Sequence, residues 1–338
     1  MAKRIMGLLA VVLVLGLVLS GCGPGSQGIQ GEQGEPAGEE ERPLQIGISQ
    51  IDEHPALDAA SQGFMDGLIE LGYEEGKDVE FIFKSAQGDI DSCRTIAEMF
   101  KESKVDLVLA VATPNAQAAA NVITDIPIVI TAVTDPVVAG LAESLERPGG
   151  NISGTTDMNP VEEQVALVKR FLPEAKTLGI MYNAGEDNSV VQVDITREAA
   201  PKYGLEIVEA TVTNKSEVNQ AALSLVERVD AIYVPTDNTV AAAISAVVKV
   251  ANPAGVPVFG SERAHVEQGG LATFGIDYYL LGKQTAQVAH EILQGKNPGE
   301  IPIEGSRDLK LIINKKAAAE LNLTISQELL TEADEILE

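Results

Sequence analysis

The sequence has no tryptophan, few other aromatic residues and a shortage of basic side chains. Its 24 lysines and arginines stand against 50 aspartates and glutamates, which gives a formal net charge of −26 at pH 7. Such a chain repels phosphate backbones, which excludes nucleic acid as a partner. The sequence also lacks an Asp-x-Asp-x-Asp-Gly loop and the His and Cys spacing of a metal site. We therefore expect neither a metal nor a cofactor.

The chain has two cysteines, Cys22 and Cys93. Cys93 lies in a helical pattern, where a lone cysteine is expected to be a small buried hydrophobe. A catalytic thiol would need a histidine partner, and no motif singles out one of the three histidines. A thiol enzyme is therefore not predicted.

The N-terminus has the order of a secretory signal peptide. Lys3 and Arg4 precede an apolar run over residues 5–19, which Ser20, Gly21 and Cys22 follow. A transmembrane anchor is the alternative, but the run is about 15 residues long and a bilayer takes roughly 20. Because residues 19–22 resemble the bacterial lipobox, we predict a lipoprotein signal peptide over residues 1–21 and lipid on Cys22.

Residues 22–42 are predicted to form the lipidated cysteine and a flexible tether. Residues 23–42 are rich in Gly, Pro, Gln and Glu and contain one large apolar residue, Ile29. They cannot bury enough apolar surface to fold. The folded part of the protein is therefore expected to begin near residue 43.

From there, short runs rich in valine and isoleucine alternate with longer amphipathic stretches. Continuous apolar runs in this rhythm indicate buried parallel strands with crossover helices. About 295 residues of this pattern exceed one sheet domain, so the predicted fold class is α/β, with two doubly wound parallel-sheet lobes joined by a hinge. The predicted strands are residues 45–49, 79–83, 107–111, 128–131, 178–182, 205–210, 231–234, 256–259 and 271–276.

Polar side chains collect at the carboxyl ends of the predicted strands, where open parallel sheets bind ligands. Several precede helices, whose free N–H groups favour an anionic group such as a carboxylate. The alternative is that these side chains only cap their helices. The candidate ligand-binding residues are Thr113, Asn115, Thr134, Asp135, Tyr182, Asn188, Ser189, Thr236, Asp237 and Asn238.

Asp237 differs from the other candidates because a carboxylate cannot bind an anion. It is suited to an ammonium group inside a closed cleft. A ligand with both charges, such as an α-amino acid, would satisfy the helix starts and Asp237 together. The predicted ligand is therefore a small zwitterion.

Six segments, in matching order between about residues 43 and 323, carry a family resemblance. They are Ala112-Thr113-Pro114-x-Ala116-Gln117-Ala118, Thr134-Asp135-Pro136-Val137-x-Ala139-Gly140-Leu141, Asn151-Ile152-Ser153-Gly154, Tyr182-Asn183-x-x-Glu186-x-Asn188-Ser189, Pro235-x-Asp237-Asn238 and Gly269-Gly270-Leu271-Ala272-Thr273. Together they resemble the ABC-transporter substrate-binding family whose members bind tryptophan, phenylalanine and related hydrophobic amino acids.

The resemblance implies a type I periplasmic-binding-protein fold in which Thr113, Asn188, Ser189 and Asp237 lie in loops at the amino-acid backbone. A composition break at residues 147–151 places the first crossing between lobes near residues 154–157. The resemblance adds crossings near residues 275–277 and 305–307. Lobe 1 is then residues 43–155 plus about 277–305, and lobe 2 is residues 156–276 plus about 306–338.

The predicted function is that of an extracytoplasmic solute-binding lipoprotein of an ABC importer, a monomer without enzymatic activity. Its partners would be a hydrophobic or aromatic amino acid, the transporter permease and, through the lipid, the cell membrane. A pocket that stacks an aromatic ligand must draw on Tyr182, Phe259, Phe274 or Tyr278.

Two alternatives belong to other classes. A ligand-sensing receptor domain would have the same fold, and a neighbouring permease or kinase gene would distinguish it. An extracytoplasmic α/β hydrolase would need a Gly-x-Ser-x-Gly elbow or a Ser, His and Asp set at strand ends, and the sequence has neither.

Overall fold

The computed structural model describes residues 42–338, and the strands of this part form two sheets. The strands are β1 (Leu44–Gln50), β2 (Val79–Ser85), β3 (Leu107–Val111), β4 (Ile128–Val133), β5 (Ile152–Thr156), β6 (Thr177–Asn183), β7 (Glu206–Val212), β8 (Ala231–Val234), β9 (Val258–Gly260), β10 (Ala272–Ile276), β11 (Glu304–Gly305), β12 (Leu309–Asn314) and β13 (Glu335–Leu337). The first sheet has the order β11-β5-β4-β3-β1-β2 and the second β13-β12-β10-β9-β8-β6-β7.

Every neighbouring strand pair in these sheets is parallel except β10 with β12. All residues of β3, β4 and β5 are buried, whereas the edge strands β2 and β7 are partly exposed. Central parallel strands are covered on both faces by their crossover helices, which explains their continuous apolar sequences. The predicted fold, two parallel-sheet α/β lobes, is confirmed.

Helices follow most strands and cover both faces of the sheets. They are α1 (Pro55–Glu70), α2 (Ile90–Ser103), α3 (Thr113–Val122), α4 (Val161–Phe171), α5 (Asp187–Ala199), α6 (Val218–Val226), α7 (Asn238–Ala241), α8 (Ile244–Ala251), α9 (Arg263–Glu267), α10 (Tyr278–Leu293), α11 (Lys315–Glu320) and α12 (Gln327–Glu332). Over residues 42–338, no helix combines the length and the hydropathy that spanning a membrane requires.

Each sheet has an apolar cluster on either face. In the first sheet, Leu107 and Leu109 of β3 belong to the cluster that contains Phe64 of α1. Val108 of the same strand belongs to the opposite cluster, with Phe100 of α2. The alternation follows from the two-residue period of a strand. Cys93 of α2 is buried in the first of these clusters, as expected, and burial raises the pKa of its thiol to about 12.

α10 packs closely on α1 although more than two hundred residues separate them in sequence. A Cβ atom at Gly63 of α1 would lie 2.0 Å from the carbonyl oxygen of Tyr279, and one at Gly282 of α10 would lie 2.1 Å from that of Ala60. Only glycine lets two helix backbones approach this closely. These contacts place α10 beside the first sheet, although it follows β10 of the second.

The structure corrects several element predictions. β5, β11, β12 and β13 were not predicted as strands, and β5 covers most of the segment assigned to the first crossing. Residues 238–251 form two short helices, α7 and α8, and not one continuous helix, because the backbone at Ala243 leaves the helical region. The chain passes between the sheets after β5, after β10 and after β11. The signal peptide, Cys22 and residues 22–41 of the tether lie outside the described residues.

Candidate ligand-binding site

The carboxyl ends of strands from both sheets meet around an enclosed cavity. The cavity between them is narrow, with a volume of about 10 Å³. The first lobe supplies residues after β1 and from the end of β4, and the second supplies residues after β8 and β9. The lining residues are His54, Leu57, Ala132, Asp157, Asn188, Thr236, Asp237, Asn238, Ala241, Glu262 and Tyr278.

Asp237 follows β8 and is the N-cap of α7. Its Oδ1 accepts a hydrogen bond from the backbone N–H of Val240 at 2.7 Å. Its Oδ2 accepts from the backbone N–H of Asn183 at 2.6 Å and from Ser189 Oγ at 2.7 Å. Burial, followed by the nearby Glu186 carboxylate, raises the pKa of Asp237 above its usual range. The side chain thus lines the cavity while it holds the starts of α5 and α7 together, and its predicted contact with an ammonium group stays a prediction.

Glu186, which was not predicted as a site residue, fixes the loop after Asp237. Its Oε2 accepts from the backbone N–H and the side-chain Nδ2 of Asn238, at 3.1 and 2.6 Å. Its Oε1 accepts from the backbone N–H and the hydroxyl of Thr239, at 3.1 and 2.8 Å. A carboxylate at the first turn of α7 satisfies N–H groups that the helix leaves free. Asn238 is thereby held at the cavity wall.

Asn188 and Thr236 complete the wall from the second lobe. Asn188 Nδ2 donates to the carbonyl oxygen of Thr236 at 2.9 Å, while Asn188 Oδ1 is buried without a hydrogen-bond partner among the described residues. The Thr236 hydroxyl accepts from Asn159 Nδ2 at 2.9 Å. A buried acceptor without a donor is costly unless a ligand completes it. Asn188 is therefore suited to accept a hydrogen bond from a ligand.

Asp157 places a second aspartate carboxyl in the cavity wall, at the end of the first sheet's strand β5. It directly follows β5, where its Oδ1 accepts from Thr134 Oγ1 at 2.9 Å and its Oδ2 accepts from the Tyr278 hydroxyl at 2.6 Å. Burial raises the pKa of the Asp157 carboxyl. Thr113 Oγ1 in turn accepts from the backbone N–H of Thr134 at 3.4 Å, so Thr113 supports this side without lining the cavity.

Three buried titratable groups beside the cavity lack hydrogen bonds. Both ring nitrogens of His54 and His265 and the Oε1 atom of Glu262 have no partner within residues 42–338. Burial lowers the pKa of His54 to about 4 and that of His265 to about 3, so both rings are neutral near pH 7. A neutral imidazole can donate one hydrogen bond and accept another. His54 is therefore available to a polar ligand group.

Three of the predicted site residues lie away from the cavity. The side-chain amide of Asn115 makes two hydrogen bonds with Ser49 of β1. Its Oδ1 accepts from the Ser49 hydroxyl at 2.8 Å, and its Nδ2 donates to the Ser49 carbonyl oxygen at 2.6 Å. Asp135 Oδ1 accepts from the N–H groups of Val137 and Val138 and caps an exposed turn. The Tyr182 hydroxyl donates to Glu209 at 2.8 Å and accepts from Arg197 at 3.2 Å, on the side of β6 that α5 covers.

His54, Asp157 and Glu262 line the cavity but were not among the predicted site residues. All three follow parallel strands, so the rule that selected Thr113 and Thr236 also selects them. The sequence pattern assigns residues 154–157 to a crossing and not to the end of β5, so it does not predict Asp157 as a site residue. Tyr278, one of the four aromatic residues named for stacking, also lines the cavity.

Polar contacts between the lobes lie outside the cavity. Lys215, in the turn after β7, places Nζ 2.8 Å from Oδ2 of Asp52, which precedes α1. Gln117 of α3 donates to Asp187 of α5 at 2.7 Å. Because each contact joins one lobe to the other, both require the lobes to be close together.

Two parallel-sheet lobes around a polar cavity define the type I periplasmic-binding-protein fold, which solved solute-binding proteins share. Residues 45–337 match the family described as ABC transporter substrate binding protein, so the chain belongs to that family. The predictions of family membership and of a binding protein without enzymatic activity are confirmed. Substrate-binding proteins of ABC transporters work outside the cytoplasm, as predicted.

Three relatives of known ligand or known structure are similar to the chain. The chain is 42% identical to a tyrosine-binding protein of Clostridioides difficile (strain R20291), over 95% of this chain and 93% of the relative. A solved ABC domain from Streptococcus pneumoniae in complex with L-Trp is 37% identical, with a TM-score of 0.85 over 87% of this chain and 100% of that one. A ligand-free, open substrate-binding protein with adhesive properties from Clostridium difficile is 43% identical, with a TM-score of 0.67 over 87% and 99%.

Proposed function

We propose that this protein is the substrate-binding lipoprotein of an ABC importer and that it binds an aromatic or other hydrophobic amino acid between its lobes. The observation that carries the proposal is the cavity, because Asp157, Asp237 and Glu262 line it and no lysine or arginine of residues 42–338 does. An acidic, enclosed site favours a ligand with an ammonium group. The tyrosine-binding and L-Trp-bound relatives support an aromatic side chain.

The rest of the wall suits the other parts of such a ligand. Leu57, Ala132 and Ala241 offer apolar surface, and the ring of Tyr278 is the aromatic group of the lining. A carboxylate would be bound by neutral donors, such as the His54 ring, and by helix starts. Asn188, Thr236, Asp237 and Asn238 are the predicted site residues that we propose to contact the ligand.

We also propose that the structure is the closed, ligand-binding arrangement of the lobes. Its TM-score to the open protein is 0.67 at 43% identity, whereas its TM-score to the L-Trp complex is 0.85 at 37% identity. If sequence divergence set the TM-scores, the more similar sequence, that of the open protein, would have the higher score. A difference in lobe arrangement therefore accounts for the scores. Closure by a hinge between two lobes is a common response to ligand.

Titration calorimetry tests the ligand class. We expect the protein, freed of co-purified ligand, to bind L-tyrosine, L-tryptophan or L-phenylalanine with a Kd of about 1 µM or tighter. D-Glucose serves as a control that lacks both charges and should give no heat of binding. Native mass spectrometry of the protein isolated from cells should find an amino acid bound. If none of the amino acids binds, the proposed function is wrong.

The membrane anchor is a separate part of the proposal. Cys22 would carry the lipid that holds the protein at the outer side of the cytoplasmic membrane, where a permease receives the ligand. We expect Cys22→Ala to release the protein into the soluble fraction, because the protein then lacks its acyl chains. Immunoblots of membrane and soluble fractions measure this, with Cys93→Ala as the matched control that stays in the membrane. A Cys22→Ala protein that remains in the membrane fraction contradicts the lipobox prediction.

A further inference from the structure

The carboxyl groups around the cavity are not equivalent. Asp157, Glu186 and Asp237 each accept two or more hydrogen bonds from donors within the chain. Such bonds stabilise a buried carboxylate in its charged form without a ligand. These three groups can therefore remain where they are whether or not the cavity is occupied.

Glu262 has no comparable support. It is 2% exposed, it lines the cavity, and its Oε1 has no hydrogen-bond partner among the described residues. It precedes α9 but does not cap that helix with its side chain. Its basic neighbour is His265, whose Nε2 lies 3.4 Å from Oε1 and whose ring is neutral. The adjacent Arg263 is paired with Glu335 instead, at 2.7 Å.

We propose that Glu262 is the counter-ion of the ligand's ammonium group and that it makes closure of the lobes depend on that group. The inference rests on the proposed function, amino-acid binding in this cavity. When the lobes close without a cation, a carboxylate without a partner is buried, which is unfavourable. An ammonium group in the cavity provides the missing charge and the missing donors.

The groups that face Glu262 strengthen the effect. Asp157 after β5 adds a like charge, Asp237 before α7 lines the same cavity, and His54, His265 and Tyr278 are neutral near pH 7. Burial, followed by the Asp157 charge, raises the pKa of Glu262 to about 8 in the closed cavity. A closed cavity without an ammonium group therefore takes up one proton from solvent at Glu262, and one with an ammonium group does not.

The sign of the pH dependence follows from this raised pKa. A tyrosine analogue without the amine, 3-(4-hydroxyphenyl)propionate, should bind most tightly at low pH, where Glu262 is already protonated. Its affinity should fall about tenfold per unit as the pH rises from 5 to 7, toward the pKa of the closed state. L-Tyrosine should show no such fall, because its ammonium group pairs with the ionised carboxylate.

The test compares the wild-type protein with Glu262→Gln by titration calorimetry at pH 5, 6 and 7, with L-tyrosine and the amine-free analogue as probes. We expect Glu262→Gln to weaken L-tyrosine binding about 10- to 100-fold at pH 7, and to remove the pH dependence of analogue binding. Glu267→Gln, which changes an exposed carboxylate of α9, should alter neither. Thermal unfolding of Glu262→Gln without ligand should match the wild type, since the amide resembles the protonated carboxyl.

The outcomes separate the two proposals. If wild-type protein binds no amino acid, the proposed function fails. If the wild type binds L-tyrosine and Glu262→Gln binds it equally well, only the role of Glu262 is overturned. Should Glu262→Gln fail to fold, the wild-type pH series decides by itself. Analogue affinity that stays constant from pH 5 to 7 contradicts the inference, and a tenfold fall per unit supports it.

Discussion

Asp237→Asn is expected to lower amino-acid affinity by about one to two decades. Both carboxylate oxygens of Asp237 accept hydrogen bonds, from the N–H groups of Asn183 and Val240 and from the Ser189 hydroxyl. An amide accepts through one oxygen only, so its NH₂ group would meet one of these donors. The loop that carries Thr236 and Asn238 would shift, and the cavity would lose one negative charge.

Titration with L-tyrosine or L-tryptophan measures the loss of affinity, and thermal unfolding measures the accompanying loss of stability. Asp135→Asn is a matched control, since Asp135 also follows a strand but caps a turn away from the cavity. It should bind as tightly as the wild type. Wild-type affinity in Asp237→Asn would mean that Asp237 only caps α7.

Gly63→Val is expected to destabilise the protein by about 3 kcal/mol or more. A side chain at Gly63 would overlap the backbone carbonyl of Tyr279, which lies 2.0 Å from the Cβ position. The helices α1 and α10 cannot move apart without exposing Phe64 and Leu281, which are fully buried beside the first sheet. Because α10 begins at Tyr278 in the cavity wall, ligand affinity should fall as well.

Chemical denaturation followed by circular dichroism gives the free energy of unfolding. Gln62→Val introduces the same side chain at the preceding position of α1, which is exposed, and should cost about 0.5 kcal/mol. An equal effect of the two substitutions would show that helix propensity is responsible and that close packing of α1 on α10 is not.

The predicted site residues that line the cavity lie where the loop itself determines the geometry. Asn188, Thr236, Asp237 and Asn238 follow β6 or β8 at helix starts and line the cavity. Tyr182 lies within β6, one residue before its end, and its hydroxyl bonds to Glu209 and Arg197 on another side. Adjacent strand residues point to opposite faces, so a position near a strand end does not by itself decide where a side chain points.

The amino-acid sequence by itself determined the two-lobed α/β class and the family, because buried parallel strands and their helices have apolar patterns that do not depend on distant residues. The six resembling segments are likewise local. The short strands β11 and β13 have no such pattern, and they exist only through pairing with β5 and β12.

Only the tertiary structure decided which strand ends share one cavity and which acidic groups there lack partners. Glu262 and Asp237 have the same chemistry and both follow a strand of the second sheet. Within residues 42–338, Asp237 accepts three hydrogen bonds, whereas Glu262 Oε1 accepts none. Hydrogen-bond satisfaction depends on donors that packing brings from elsewhere in the chain. Two similar carboxyl groups therefore acquire different properties only after the chain has folded.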